Sequence, residues 1–237
     1  MTLQSENLDK VISFSLMSFV FFSFFSISLT QISCGVGGLA WLAKCYLTGS
    51  WGKQNFPIII PFLIFVFACL VAVAGSPDIS ASYKSLKRLL EILIFFWAVN
   101  CIQTDELRER LTLLLIIAAT LSTLTSFYVA WENGISLFLM PGEENPSLAA
   151  VPHRAEGTMS VYMTYAGILM LAFLVALGEL VFAPKKNKWL YLSITTLGFC
   201  LLLTFTRQAW LGVVIGVAFL IWFRKKSLLW FLPLVLG

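Results

Sequence analysis

The stretch Trp189–Phe223 runs for thirty-five residues with a single charged side chain, Arg207. A membrane-spanning helix needs about 17–25 residues, so this stretch is too long for one span and barely long enough for two. The turn between the two must be tight. Arg207 lies at or beside it, in the run Thr204-Phe205-Thr206-Arg207-Gln208-Ala209-Trp210. An ionisable group in such a place is costly unless it faces protein, water or an anion. We read Arg207 as a candidate anion-binding residue at one membrane face. The competing reading is an interfacial arginine that snorkels to lipid phosphate.

Composition extends the argument to the whole chain. Hydrophobic residues make up 59% and charged residues 12%, the latter about half of the roughly 25% found in soluble proteins. The apolar runs are long and continuous rather than alternating segments of about ten, which excludes a closed barrel. Backbone groups in lipid must be satisfied within their own segment, and that leaves helices. The expected fold is therefore all-α. Residues 1–237 form a single polytopic transmembrane bundle in this reading, with about eight or nine spans.

The net charge of +4 is not a nucleic-acid signal, because the basic residues fall in short loops between apolar runs. The five cysteines (Cys34, Cys45, Cys69, Cys101 and Cys200) have no metal-ligand spacing and lie in or beside apolar segments. They read as small packed side chains. Neither a metal nor a cofactor is expected. Val11–Leu29 is long enough to span and no small-residue cleavage site follows it, so the N-terminus reads as a retained first helix rather than a signal peptide. Leu228–Gly237 is half a span with no polar end. It predicts an N-terminal fragment whose natural chain continues.

The predicted helices are Val11–Leu29, a short Gly-rich Ser33–Leu47, Pro57–Ala74, a fourth from Ser76 to about Ile102, Leu111–Trp131, Thr158–Phe182, Trp189–Phe205 and Gln208–Phe223, with a ninth starting at Leu228. Gly35, Gly37 and Gly38 predict a tilted or closely packed second helix. In the fourth, Ser76-Pro77-Asp78 supplies an N-cap, a first-position proline and a first-turn acid.

Basic residues orient these helices. With the N-terminus inside, the inner segments hold Lys10, Lys44, Lys53, Arg108, Arg110, Lys185, Lys186, Lys188, Arg224, Lys225 and Lys226, eleven of sixteen. The five exceptions are Lys84, Lys87, Arg88, Arg154 and Arg207. Positive charge on the outer side runs against the topology rule and calls for another role.

Lys84, Lys87, Arg88 and Glu91 share one helical face. Three cations in a stripe near the membrane surface suit a phosphate-bearing lipid; the alternative is a solvated face partly neutralised by Glu91. The outer polar segment 132–157 carries Glu132, Glu143, Glu144 and Glu156 against Arg154, with turn signals at Pro141-Gly142 and Asn145-Pro146. It reads as an ordered loop, with a partial re-entrant piece at Ile135–Met140. Arg154 would then stand at the outer mouth of the bundle. His153, the one histidine, reads as a polar loop residue without a metal partner. Tyr162, Tyr165 and Trp210 read as interfacial belt residues, with sugar contact as the alternative.

Two of these motifs carry a family resemblance. Arg154-Ala155-Glu156-Gly157-Thr158, opening a helix, and Thr206-Arg207-Gln208-Ala209-Trp210-Leu211-Gly212, at a tight hairpin, resemble the bacterial O-antigen ligase and O-antigen polymerase superfamily. The resemblance covers most of the chain in topology and a short set of residues in sequence. It implies a bundle of about twelve helices in the full protein, related to large membrane glycosyltransferases of the inner membrane, with a later periplasmic loop and last helices lying beyond this chain. It implies transfer of a glycan from undecaprenyl pyrophosphate on the periplasmic side. A ligase passes the glycan to lipid A–core, and a polymerase passes it to another carrier-linked repeat. The implied reaction is a metal-independent inverting displacement. Arg207, Arg154 and the Lys84/Lys87/Arg88 stripe would bind the pyrophosphate and stabilise charge on the departing oxygens. Glu156 is a weak candidate for the general base, with an ion pair to Arg154 as its other reading. The histidine of the ligases' late loop has no counterpart in His153. From a different class, a lipid-linked glycan transporter remains as an alternative. Spans nearly free of mid-membrane charge and the lack of an internal repeat weigh against it.

Overall fold

The computed structural model describes residues 2–77, 86, 89, 91–132, 162–182 and 188–224. Every regular element among them is helical: α1 (Thr2–Phe22), α2 (Ile27–Thr48), α3 (Ile59–Ala74), α4 (Glu91–Cys101), α5 (Asp105–Glu132), α6 (Tyr162–Phe182), α7 (Lys188–Leu203) and α8 (Arg207–Arg224), with a 3₁₀ turn at Ser50–Lys53. Three stretches are long and apolar enough to cross a membrane: Asp105–Tyr128, Met163–Phe182 and Arg207–Arg224. Helices α3, α4 and α7 are apolar but shorter. Large apolar side chains stand exposed along the helices, among them Phe14, Leu39, Ile60, Phe67 and Phe223, each at least two-thirds exposed, and α3 has no buried residue at all. Exposed apolar surface on this scale is stable against lipid rather than water. The chain divides into two compact units, residues 1–19 with 28–111, and residues 20–27 with 112–237.

In the first unit the helices meet through one small residue and one aromatic. A Cβ on Gly37 would lie 2.2 Å from Trp97 Cζ2 and 2.8 Å from Ser15 Cβ, whereas Gly35 and Gly38 have open space around them. The glycine-rich helix is thus closely packed at a single position. Phe19 meets the same indole edge-on, at 6.0 Å between centroids. Asn100 ties the loop before α3 to α4. Its Oδ1 accepts from Asn55 N–H at 2.7 Å, and its Nδ2 donates to Asn55 C=O at 2.9 Å and to Phe96 C=O at 2.8 Å. Helix α2 ends where Gly49 takes a left-handed φ of 60°, a conformation that favours glycine.

In the second unit α6 packs against both α7 and α8. Its contact stripe is small: Ala166, Ala172 and Ala176 are fully buried beside Leu169. Opposite it, α8 carries Gly212-x-x-x-Gly216. A Cβ at these glycines would fall 2.3 Å from Met170 Sδ and 2.6 Å from both Leu174 methyls. The spacing puts both glycines on one face and lets the helix axes approach. On α5, hydroxyls bond back to the preceding turn: Thr120 to Ile116 C=O, Ser122 to Ala119 C=O and Thr123 to Thr120 C=O, each at 2.7 Å. This satisfies them where water is scarce.

Several boundaries differ from those read in the sequence. The first helix starts at Thr2 rather than Val11, with Lys10 paired to Glu6 one turn earlier at 3.0 Å. It ends at Phe22, well before Leu29. The break lies in Ser23-Phe24-Phe25-Ser26, where Ser23 Oγ donates to Val20 C=O and competes for the backbone. Helix α5 starts at Asp105 rather than Leu111, because Thr104 Oγ1 accepts Leu107 N–H at 3.3 Å as an N-cap. Asp105–Arg108 and Glu106–Arg110 pairs then line its first turns.

Candidate functional site

The α7–α8 connection is a three-residue turn, Thr204–Thr206. Phe205 adopts a φ of 49°, a costly conformation for a bulky residue. The flanking groups hold it there. Thr204 Oγ1 donates to Leu201 C=O at 2.7 Å, Thr206 Oγ1 donates to Thr204 C=O at 3.2 Å, and Trp210 Nε1 reaches back nine residues to Leu201 C=O at 3.2 Å. The indole thereby ties the first turn of α8 to Leu201 C=O at the end of α7, a carbonyl that also accepts the Thr204 N–H and hydroxyl. Phe205 and Trp210 rings lie 6.3 Å apart. Thr206 C=O accepts the Ala209 and Trp210 N–H groups and so opens α8.

Arg207 is the first residue of α8 and is exposed. It has no hydrogen-bond or ion-pair partner among the described residues. A free guanidinium and a helix N-terminus, both positive, stand together there. Their arrangement favours an anion.

The same end of the second unit gathers the ends of two other helices. Tyr165, one turn into α6, is fully buried. Its hydroxyl donates to Ser122 C=O at 3.0 Å and accepts from Ser126 Oγ at 2.8 Å, both on the later part of α5; Cys200 Sγ near the end of α7 lies 3.8 Å away. The chain therefore leaves α5 and enters α6 at the end where the Arg207 turn lies. At the opposite end, the Arg224 guanidinium donates to Val181 C=O. The belt reading of Tyr165 is corrected: the residue is a buried hydrogen-bonding link between three helices. Trp210, half-buried and tying α8 to α7, is likewise a structural residue. Side-chain placement of Tyr162 lies outside the described residues, as do Lys84, Lys87, Arg88, His153, Arg154 and Glu156.

A second polar assembly, in the first unit, had no sequence signal as a whole. A cavity of about 640 Å³ is lined by Asp9, Ile12 and Ser13 of α1, Trp41, Lys44, Cys45 and Thr48 of α2, Ser50 and Gln54 of the following turn, and Asn100, Cys101, Gln103, Thr104 and Leu107 around the α4–α5 junction. Asp9 and Lys44 form an ion pair at its edge, thirty-five residues apart in sequence. Of its charged pair, the sequence reading singled out Lys44 alone, as an orienting charge.

Among the described residues no cluster of histidine, cysteine or acidic groups could hold a metal ion. No family model, curated protein or solved structure matches the chain. The fold defines a class: an all-helical chain whose long apolar helices point to a membrane protein.

Proposed function

We propose that this chain forms part or all of a polytopic inner-membrane glycosyltransferase of the O-antigen ligase kind, with about eight or nine spans in these 237 residues. The proposed reaction moves a glycan from undecaprenyl pyrophosphate to lipid A–core on the periplasmic side. The observation that carries the reading is Arg207: exposed, unpaired among the described residues, and set at the start of α8 beside the N–H groups of its first turn. In the reaction, an acceptor hydroxyl oxygen attacks the anomeric carbon, the bond from that carbon to the pyrophosphate oxygen breaks, and the hydroxyl proton passes to a base. Negative charge grows on the leaving oxygens. A fixed cation there stabilises the transition state more than the ground state.

Arg154 supports the same site from the sequence, since α6 begins at the Arg207 end of its unit and Arg154 precedes Tyr162 by eight residues. The Lys84/Lys87/Arg88 stripe is proposed as a further phosphate contact.

The test uses the full-length gene in its own host, deleted and restored as wild type, Arg207→Ala or Arg207→Lys. Lipopolysaccharide is run beside an assay of carrier-linked glycan. The proposal expects deletion to strip all O-chain from lipid A–core while long chains accumulate on the carrier, with Arg207→Ala failing to rescue at normal protein level. A single repeat left on the core would replace ligase by polymerase. An unchanged pattern would overturn the glycan reading.

A further inference from the structure

Among the described residues no hydrogen bond or ion pair aims the Arg207 guanidinium. Where it stands is set by the backbone that carries it, and so by how firmly the start of α8 is held. Two features of that start would let it drift. Phe205 keeps a φ of 49°, which a bulky residue leaves when it can. The first turn of a helix also frays, because its leading N–H groups have no partner within the helix.

Two contacts oppose the drift. Thr206 Oγ1 donates to Thr204 C=O at 3.2 Å and closes the turn on itself. Trp210 Nε1 donates to Leu201 C=O at 3.2 Å and ties α8 back to α7. The Trp210 ring also lies 6.3 Å from that of Phe205, so one indole meets both the strained residue and the end of the preceding helix. Trp210 follows Arg207 by three residues. The two side chains therefore leave neighbouring points on one face of α8, about one turn apart. An anchor on Trp210 fixes the rotation of the face that presents Arg207. The close contact of Gly212 with Met170 lies more than a helical turn beyond Arg207, too far along to hold the first turn by itself.

We propose that Trp210 is a positioning residue: its indole holds α8 at the rotation from which Arg207 meets phosphate, so that the cation stands in place before the ligand arrives. This rests on Arg207 being the phosphate-binding cation of the function proposed above. A site ordered in advance spares the ligand the cost of ordering it. The indole needs no contact with the ligand for this. Its effect on binding passes through Arg207 alone.

The test uses the whole chain in phosphatidylglycerol nanodiscs carrying graded amounts of undecaprenyl pyrophosphate, with bound carrier read by native mass spectrometry. Wild type, Arg207→Ala, Trp210→Phe and the double variant form a cycle. Trp210→Phe keeps a ring at the position and removes the donor. It is expected to weaken binding about two- to tenfold, the scale of ordering one long side chain on binding. In the Arg207→Ala background the same change should have no further effect. Gly216→Ala, which strains the α6 contact and leaves the 204–206 turn alone, should bind as wild type. Thr206→Val removes the other tether of the turn and should also weaken binding; it decides the matter if Trp210→Phe fails to fold. Equal loss from Trp210→Phe with and without Arg207 would overturn the proposal, and so would a matching loss in Gly216→Ala, which would reduce the effect to general stability. Wild-type affinity in folded Trp210→Phe, or in Thr206→Val where that variant decides, beside weakened Arg207→Ala overturns the positioning role and leaves the functional reading standing. Wild-type affinity in Arg207→Ala overturns both.

Discussion

Gly216→Ala is the sharpest probe of how the second unit packs. The added Cβ would sit 2.6 Å from both Leu174 methyls and 3.2 Å from Leu174 Cγ. Carbon atoms rest at about 3.5–4.0 Å, so the helices must part by roughly an ångström or Leu174 must leave its rotamer. Overpacking of this kind costs about 1–3 kcal/mol. Gly212→Ala should cost less. Its nearest neighbour at 2.3 Å is Met170 Sδ, near the end of an unbranched, adaptable side chain. Gly167→Ala, with nothing within 4 Å, is the control and should be neutral. The assay is reversible unfolding in mixed micelles, followed by tryptophan fluorescence as denaturing detergent is added. Leu174→Ala should restore most of what Gly216→Ala loses, giving a coupling energy of about 1 kcal/mol or more in a double-mutant cycle. Equal midpoints for Gly216→Ala and Gly167→Ala would refute the close α6–α8 contact.

Three further outcomes are expected. Tyr165→Phe removes the hydroxyl that links Ser126 Oγ and Ser122 C=O across the helices, leaving Ser126 Oγ only the longer bond to Ser122 C=O at 3.3 Å, and should lower the unfolding free energy by about 0.6–1.7 kcal/mol, the range of buried hydrogen bonds between membrane helices. Asn100→Ala strands the Asn55 N–H and C=O together and should cost about 2 kcal/mol or more in the same assay, with earlier hydrogen exchange at Asn55. Trp210→Phe keeps the aromatic contact but removes the indole donor to Leu201 C=O; it should lower stability by about 1 kcal/mol and speed amide exchange at the 204–206 turn.

The parts legible in the sequence were those marked by charge. Arg207 interrupts an apolar run, and the turn falls there, with helices ending at Leu203 and starting at Arg207. The break at Ser23–Ser26 was hidden because Phe24 and Phe25 keep the hydropathy high while the two serines loosen the helix. The start of α5 was hidden for the opposite reason: Asp105–Arg110 is too polar for lipid, yet a capped helix forms in water just as well. Tyr165 looked interfacial because position along a helix shows depth and not facing. Its burial depends on Ser122 and Ser126, some forty residues earlier. The Asp9–Lys44 and Asn55–Asn100 contacts span thirty-five and forty-five residues. No local pattern announces pairs at that separation.

The most direct test of the functional account is binding of undecaprenyl pyrophosphate to the purified chain in phosphatidylglycerol nanodiscs, comparing wild type with Arg207→Ala. The account predicts that wild type prefers the pyrophosphate carrier over undecaprenol and that Arg207→Ala loses about tenfold or more of its affinity, the worth of one charge-assisted contact to phosphate. Equal affinity of the two proteins, at equal unfolding midpoints, would make Arg207 a lipid-phosphate anchor and contradict the account.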